Sequence, residues 1–207
     1  MDEYTFLQKI SEEHSWRRRE MILYKGKIPN KAGDIQNVLL RAAIPFIYAH
    51  WEGFVKVSMS LYLKYVSDLH LKHNELKPTF IALSLSNTIS SFDSKSIFKK
   101  VELVDFMLDK MDSRSNVPKK NIINTKSNLR YEVFKEILFN VELDNHGLNA
   151  KEELIDSLVD TRNHIAHGEY KYIAYDTYIS FHNEVEALLE RVKTIIENSA
   201  VNKEYLK

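Results

Sequence analysis

The sequence contains no cysteine. That excludes a disulfide framework, cysteine-ligated zinc and a thiol nucleophile, and it suits a reducing compartment. Glycine and proline are scarce, 5 and 4 in 207 residues, so tight turns are few and alternating, turn-bounded strands are hard to find. Net charge is lacking as well: 29 basic side chains balance 29 acidic ones. The molecule as a whole therefore has no field to attract a polyanion or an anionic membrane, and any nucleic-acid contact must be local. No uncharged apolar run approaches the ~20 residues that span a bilayer, and Met1-Asp2-Glu3-Tyr4 is acidic where a secretory leader is basic. A soluble, cytoplasmic protein without a membrane partner is expected. Gly-rich phosphate loops and Gly-x-Ser-x-Gly elbows are missing too.

What is present is helical periodicity. The hydrophobic share, 44%, fits one globular domain, and no linker or repeat divides residues 1–207. The spacing of Phe6, Ile10, Met21 and Leu23 predicts a helix over about residues 2–24, stopped by Gly26 and Pro29. Asp34 is placed to cap a long second helix, apolar on most sides, carrying Trp51, Phe54 and Tyr62, with Pro45 as a bend or a junction. That helix is expected at the centre of a bundle. Pro78 can open a short helix, and another is predicted over about 94–111 with Ile97, Val101, Val104 and Leu108 lining it. Further helices are expected near 129–141, 149–167 and 176–198, with Asp144-Asn145-His146-Gly147 as a break. The fold class is all-α.

Residues 113–131 form the one marked charge block, with Arg114, Lys119, Lys120, Lys126 and Arg130 and no acidic residue. Lys119, Lys120, Lys126 and Arg130 are candidate phosphate contacts for RNA, and a solvated loop is the alternative. Trp16-Arg17-Arg18-Arg19 sits among Glu12, Glu13 and Glu20, so partial self-neutralisation is expected there.

The chemistry concentrates at Arg162-Asn163-His164-Ile165-Ala166-His167. At about 100° per residue, Leu154, Leu158, Ile165, Ile155 and Ala166 share an arc of roughly 120°, and Arg162 falls inside it. Asn163, His167, Asp156 and Asp160 share the neighbouring polar edge. A guanidinium on a packing face needs a carboxylate, a phosphate or a solvated cleft, and Glu52 is a candidate partner. Gly168 should end the helix and leave His167 in its last turn. From spacing alone, an Arg162 paired with an acid on another helix and a His167 favoured by a helix C-terminus are the better explanation of the pattern. His164 with His167, or His70 with His73, are possible metal pairs, but neither has an obvious further ligand.

Arg162-Asn163-x-x-x-His167 resembles the HEPN signature, an Arg, a polar residue and a His near the end of a core helix. Its context, Ile155 to Tyr170, resembles the MAE-like bacterial HEPN subfamily, as do Ala49-His50-Trp51-Glu52-Gly53-Phe54-Val55-Lys56 and Ser127-Asn128-Leu129-Arg130-Tyr131-Glu132-Val133. The resemblance implies an HEPN-like helical bundle, a homodimer through the motif-bearing face, and a ribonuclease of toxin–antitoxin or phage-defence type with an antitoxin or defence partner. It implies no cofactor and no metal. In such chemistry Arg162 would clamp the phosphate, His167 would be acid or base, Asn163 would orient its neighbours, and 2′,3′-cyclic phosphate ends would result. Glu52, Asp160 and Tyr170 are accessory candidates. HEPN toxins silenced by nucleotidylation carry their tyrosine one residue earlier than Tyr170, which leaves tyrosine modification open here. A non-catalytic HEPN module that binds nucleotide, RNA or a partner protein is the competing class.

Overall fold

The computed structural model describes residues 1–91, 96–145 and 147–207. Among them are seven α-helices: α1 (Glu3–Lys25), α2 (Asp34–Asp68), α3 (Pro78–Ser91), α4 (Ile97–Lys110), α5 (Tyr131–Asn140), α6 (Glu152–Ala166) and α7 (Tyr175–Val201). The only β contacts among the described residues are two isolated bridges, Lys72 with Arg114 and Leu76 with Leu206.

Helix α2 is the axis of the bundle, packed by α1, α6 and α7, while α1 also lies against α7. Its composition explains that position: Leu40, Ile44, Ile47, Trp51, Phe54, Val55, Met59 and Tyr62 are all sealed from solvent, on too many sides for a surface helix. Pro45 lies inside this one continuous helix. Asp34 stands in the first turn rather than at the cap, which is Gly33 and offers no side-chain bond. Aromatic packing fixes the neighbours. Phe6 of α1 stacks on Tyr65 at 4.8 Å between centroids, Trp51 meets the Phe134 ring of α5 edge-on at 5.1 Å, and the Tyr62 hydroxyl hydrogen-bonds Ser199 of α7 at 2.8 Å.

Gly53 has a specific reason to be glycine. A Cβ there would stand 3.3 Å from Nη2 of Arg17, whose guanidinium is buried between the Trp16 and Phe54 rings and paired with Glu13. The basic triplet of α1 is thus neutralised locally at Arg17 and by Glu186 of α7 at Arg18.

Two further expectations change. Ile97, Val101, Val104 and Leu108 do not line the core; they are exposed, and α4 buries none of its residues. Their periodicity marks a helix, but periodicity alone does not say that another element covers the apolar stripe. The expected start of that helix at residues 94–95, and His146 in the expected break, lie outside the described residues. His73 is structural: Nδ1 lies 2.9 Å from each of the Lys110 and Ser113 carbonyls, so it must carry the proton, and Nε2 accepts from Ser84 at 3.0 Å. Both ring nitrogens are therefore occupied, which removes His73 from the candidate metal pair.

Candidate functional site

Helix α6 buries Ile155, Leu158 and Val159, and on its helical wheel Arg162 falls at the middle of that buried arc, one turn beyond Leu158. The backbone forces the guanidinium towards α2. It is received there by a set of contacts that satisfies most of its donors. Nη1 donates to Oδ1 of Asn163 at 2.8 Å and to Oδ1 of Asn128 at 3.3 Å, and Nη2 donates to the Ser127 carbonyl at 3.0 Å. The Glu52 carboxylate lies 3.8 Å from Nη2, with both side chains about one-fifth exposed. Beneath the guanidinium lies the Tyr48 ring, 4.1 Å from Cζ to centroid. Nε has no hydrogen-bond partner among the described residues.

Tyr48 and Glu52 are one turn apart on α2, so a single helical face supplies both the aromatic platform and the carboxylate. The Tyr48 hydroxyl also accepts the backbone N–H of Leu129 at 2.8 Å. Burial pushes that phenol above its ordinary range, and the Leu129 N–H partly opposes the shift. The segment before Leu129 is conformationally costly. Lys126 and Ser127 both have left-handed backbones, at φ 52° and 59°, a geometry worth about 1–2 kcal/mol against each non-glycine residue. That turn carries the Ser127 carbonyl and the Asn128 side chain to Arg162.

Next along the chain, α5 begins with a cap supplied by α6: Oδ1 of Asp156 accepts the N–H of Tyr131 at 2.9 Å. Arg130, the residue before α5, pairs with Asp160 and lies 3.9 Å from Asp156. The Asp160 bond holds the Arg130 guanidinium above its ordinary range. Asp160 is therefore engaged by Arg130 and does not face Arg162. Its carbonyl lies 2.7 Å from Nδ1 of His164, whose other nitrogen is 3.7 Å from Glu169.

Helix α6 ends at Ala166, with His167 as the capping residue and Gly168 at φ 82° turning the chain away. The His167 ring is exposed and makes no hydrogen bond, ion pair or ring contact with another described side chain. Arg162 and Asn163 are brought together; the His167 backbone N–H donates to the Asn163 carbonyl at 3.0 Å, but its ring hydrogen-bonds neither of their side chains. Tyr170 is exposed on the loop beyond, over which Arg41 of α2 places its guanidinium carbon 5.1 Å from the ring centroid.

The basic block is tied down more than its composition predicts. Lys119 pairs with Asp68 at 2.5 Å, Lys126 with Glu136 at 2.6 Å, and Arg130 with Asp160; Lys120 is exposed and has no acid beside it among the described residues. No acid lies within the block, but α2, α5 and α6 each fold one against it. Of the residues at this site, sequence reasoning missed Tyr48, Asn128 and Ser127 as partners of Arg162. The available signals were Tyr48 four residues before Glu52, and the presence of Ser127-Asn128 in the stretch of family resemblance. Among the described residues no group of three or more His, Asp or Glu is arranged to hold a metal, and no helix is long and apolar enough to cross a membrane.

An all-α bundle built around α2 is the fold that the HEPN resemblance implies. Residues 12–198 match the family described as RiboL-PSP-HEPN, and the protein belongs to that family. The match carries that description and not the MAE-like label. No curated protein and no solved structure matches the chain.

Proposed function

We propose that the protein is a metal-independent RNA endonuclease whose site is the C-terminal end of α6. The observation that carries this reading is the combination of a fixed arginine and a free histidine: Arg162 is held on Tyr48 by Asn163, Asn128 and Ser127, while His167 stands exposed and unpartnered among the described residues at the same helix end. The Nε–H of Arg162 and the second N–H of Nη2, which Glu52 approaches only to 3.8 Å, remain for a phosphoryl oxygen. Cleavage proceeds by removal of the 2′-hydroxyl proton, attack of that oxygen on the adjacent phosphorus, and expulsion of the 5′-oxygen, which takes up a proton. The products are a 2′,3′-cyclic phosphate and a 5′-hydroxyl. His167 serves one proton transfer, and Arg162 stabilises the charge that develops on phosphorus-bound oxygen.

One histidine cannot be both base and acid in a single concerted step, so a second copy of the chain supplies the other group. The surface beside the motif suits this. Tyr170 and Tyr172 are exposed, and on α2 Val38 and Ile35 lie exposed one and two turns before Arg41, which touches the Glu169–Tyr170 loop. The family resemblance extends the proposal to a toxin or phage-defence effector with a cognate protein partner. The test is incubation of purified protein with tRNA and mixed RNA in EDTA: fragments ending in 2′,3′-cyclic phosphate are expected, and intact RNA contradicts the reading.

A second reading is a non-catalytic HEPN module. It is favoured by the same contacts at Arg162, because three hydrogen bonds, an ion pair and an aromatic face also describe an arginine that merely locks α6 to α2.

A further inference from the structure

Helix α2 carries an oblique row of residues four apart: Tyr48, Glu52, Lys56 and Ser60. The first two receive Arg162. The next two line an open cavity of about 410 Å³ together with Leu63, Lys119, Lys120 and Asn124. One loop therefore serves both places: its 119–124 stretch walls the cavity, and its 127–129 stretch grips Arg162 and Tyr48. At ~1.5 Å per residue, Lys56 and Ser60 stand about 6 and 12 Å along α2 from Glu52. That is the scale of one or two nucleotides of an extended strand.

The lining has the chemistry of an anion site. It contains three lysines and no carboxylate. Lys119 shares its charge with Asp68, but Lys56 and Lys120 are exposed and pair with no acid among the described residues. Asn124 accepts the N–H of Lys126 with its oxygen at 2.8 Å, which leaves its amide N–H groups as donors. No aromatic side chain lines the cavity, so nothing there can stack on a base. In a molecule with 29 basic and 29 acidic side chains, this is a local cationic pocket and not part of a general field.

We propose that this cavity is the subsite for a backbone phosphate of the RNA strand, one or two nucleotides from the bond held at Arg162. The inference rests on the nuclease reading for the identity of the strand, and on the cavity itself for its chemistry. Lys56 and Lys120 grip the phosphate and Asn124 adds a neutral donor. Recognition there is indifferent to base identity and sensitive to salt.

The test is fluorescence anisotropy with a single-stranded 2′-O-methyl RNA, which lacks the attacking hydroxyl and cannot be cut, titrated over a salt series. The variant Lys56→Gln/Lys120→Gln should bind about tenfold more weakly at low salt. Its plot of log affinity against log salt should be shallower by about 0.7 for each phosphate the protein no longer neutralises. Lys9→Gln, an exposed lysine on α1, should bind as wild type does. Equal binding by the double variant and wild type overturns the proposal, as does wild-type protein that binds no oligonucleotide. Titration with AMP and with inorganic phosphate separates a strand from a free nucleotide: tight AMP binding lost in the double variant, with oligonucleotide binding intact, also overturns it. Cleavage measured on unmodified RNA keeps the two claims apart. Cavity-dependent binding without cleavage sinks only the nuclease reading, and cleavage with binding unaffected by the double substitution sinks only the subsite.

Discussion

Tyr48 places its ring beneath Arg162, 4.1 Å from ring centroid to guanidinium carbon, and the same tyrosine accepts the Leu129 N–H through its hydroxyl. One side chain of α2 thus positions both the arginine of α6 and the loop that grips it. Tyr48→Phe keeps the aromatic face and removes the acceptor, leaving the N–H of fully buried Leu129 without a partner. It should cost about 1–3 kcal/mol by urea denaturation. Tyr48→Ala removes a buried ring as well and should cost about 3–5 kcal/mol, the usual range for an aromatic deleted from a core. Amide exchange at residues 127–129 should quicken in Tyr48→Phe while α1 and α7 stay protected. Unchanged exchange there contradicts the positioning role.

Stability should fall as the medium is acidified, in two stages of the same sign. His14, His50 and His182 are buried, and desolvation holds each below the ordinary imidazole value against the opposing pull of Glu190, Glu20 and Glu186. Above about pH 6.5 neither folded nor unfolded chain protonates them, and stability has its full value. Below it the unfolded chain takes up protons that the folded chain resists, so stability declines until the pH passes the folded values. Asp68 acts lower down, because Lys119, Lys64 and the N-terminal ammonium hold its carboxyl far below the usual range. Its contribution is full above about pH 3.9 and is lost on further acidification. Urea midpoints should be flat above pH 7 and decline between about 6.5 and 5. A flat profile down to pH 5 contradicts this.

Assembly is tested by a charge on the surface beside the motif. Val38 is exposed, so Val38→Asp should leave the unfolding midpoint of the monomer within about 0.5 kcal/mol of wild type. In sedimentation at micromolar concentration, wild type should be dimeric and Val38→Asp monomeric, with cleavage lost alongside the dimer. A wild-type monomer with full activity contradicts a site completed by a second copy.

Much of the fold was legible because helical periodicity and punctuation agree: Gly26 ends α1, Pro78 opens α3 and Gly168 closes α6, each within a residue or two of the observed boundary. Arg162 on an apolar stripe was visible as a charge in need of a partner, and Glu52 was a candidate. The rest depended on tertiary approach. Nothing in the order of residues says that Asp68, Glu136 and Asp160 would fold against Lys119, Lys126 and Arg130. Nor does it say that two left-handed residues, Lys126 and Ser127, would turn a carbonyl and an amide onto the guanidinium. The exposure of α4 was illegible for the same reason: an apolar stripe shows that a helix has a face, not what covers it.

His167 is exposed, unpartnered among the described residues and outside the last turn of α6, so His167→Ala should leave helicity, stability and dimerisation unchanged. That separates chemistry from folding in one comparison. Initial rates of RNA cleavage in EDTA, followed by the appearance of 2′,3′-cyclic phosphate ends, should fall by about 10² or more in His167→Ala, the scale of a lost proton-transfer group. Cleavage by His167→Ala at the wild-type rate, or a wild type that cuts only after divalent metal is added, would contradict a metal-independent site built on His167.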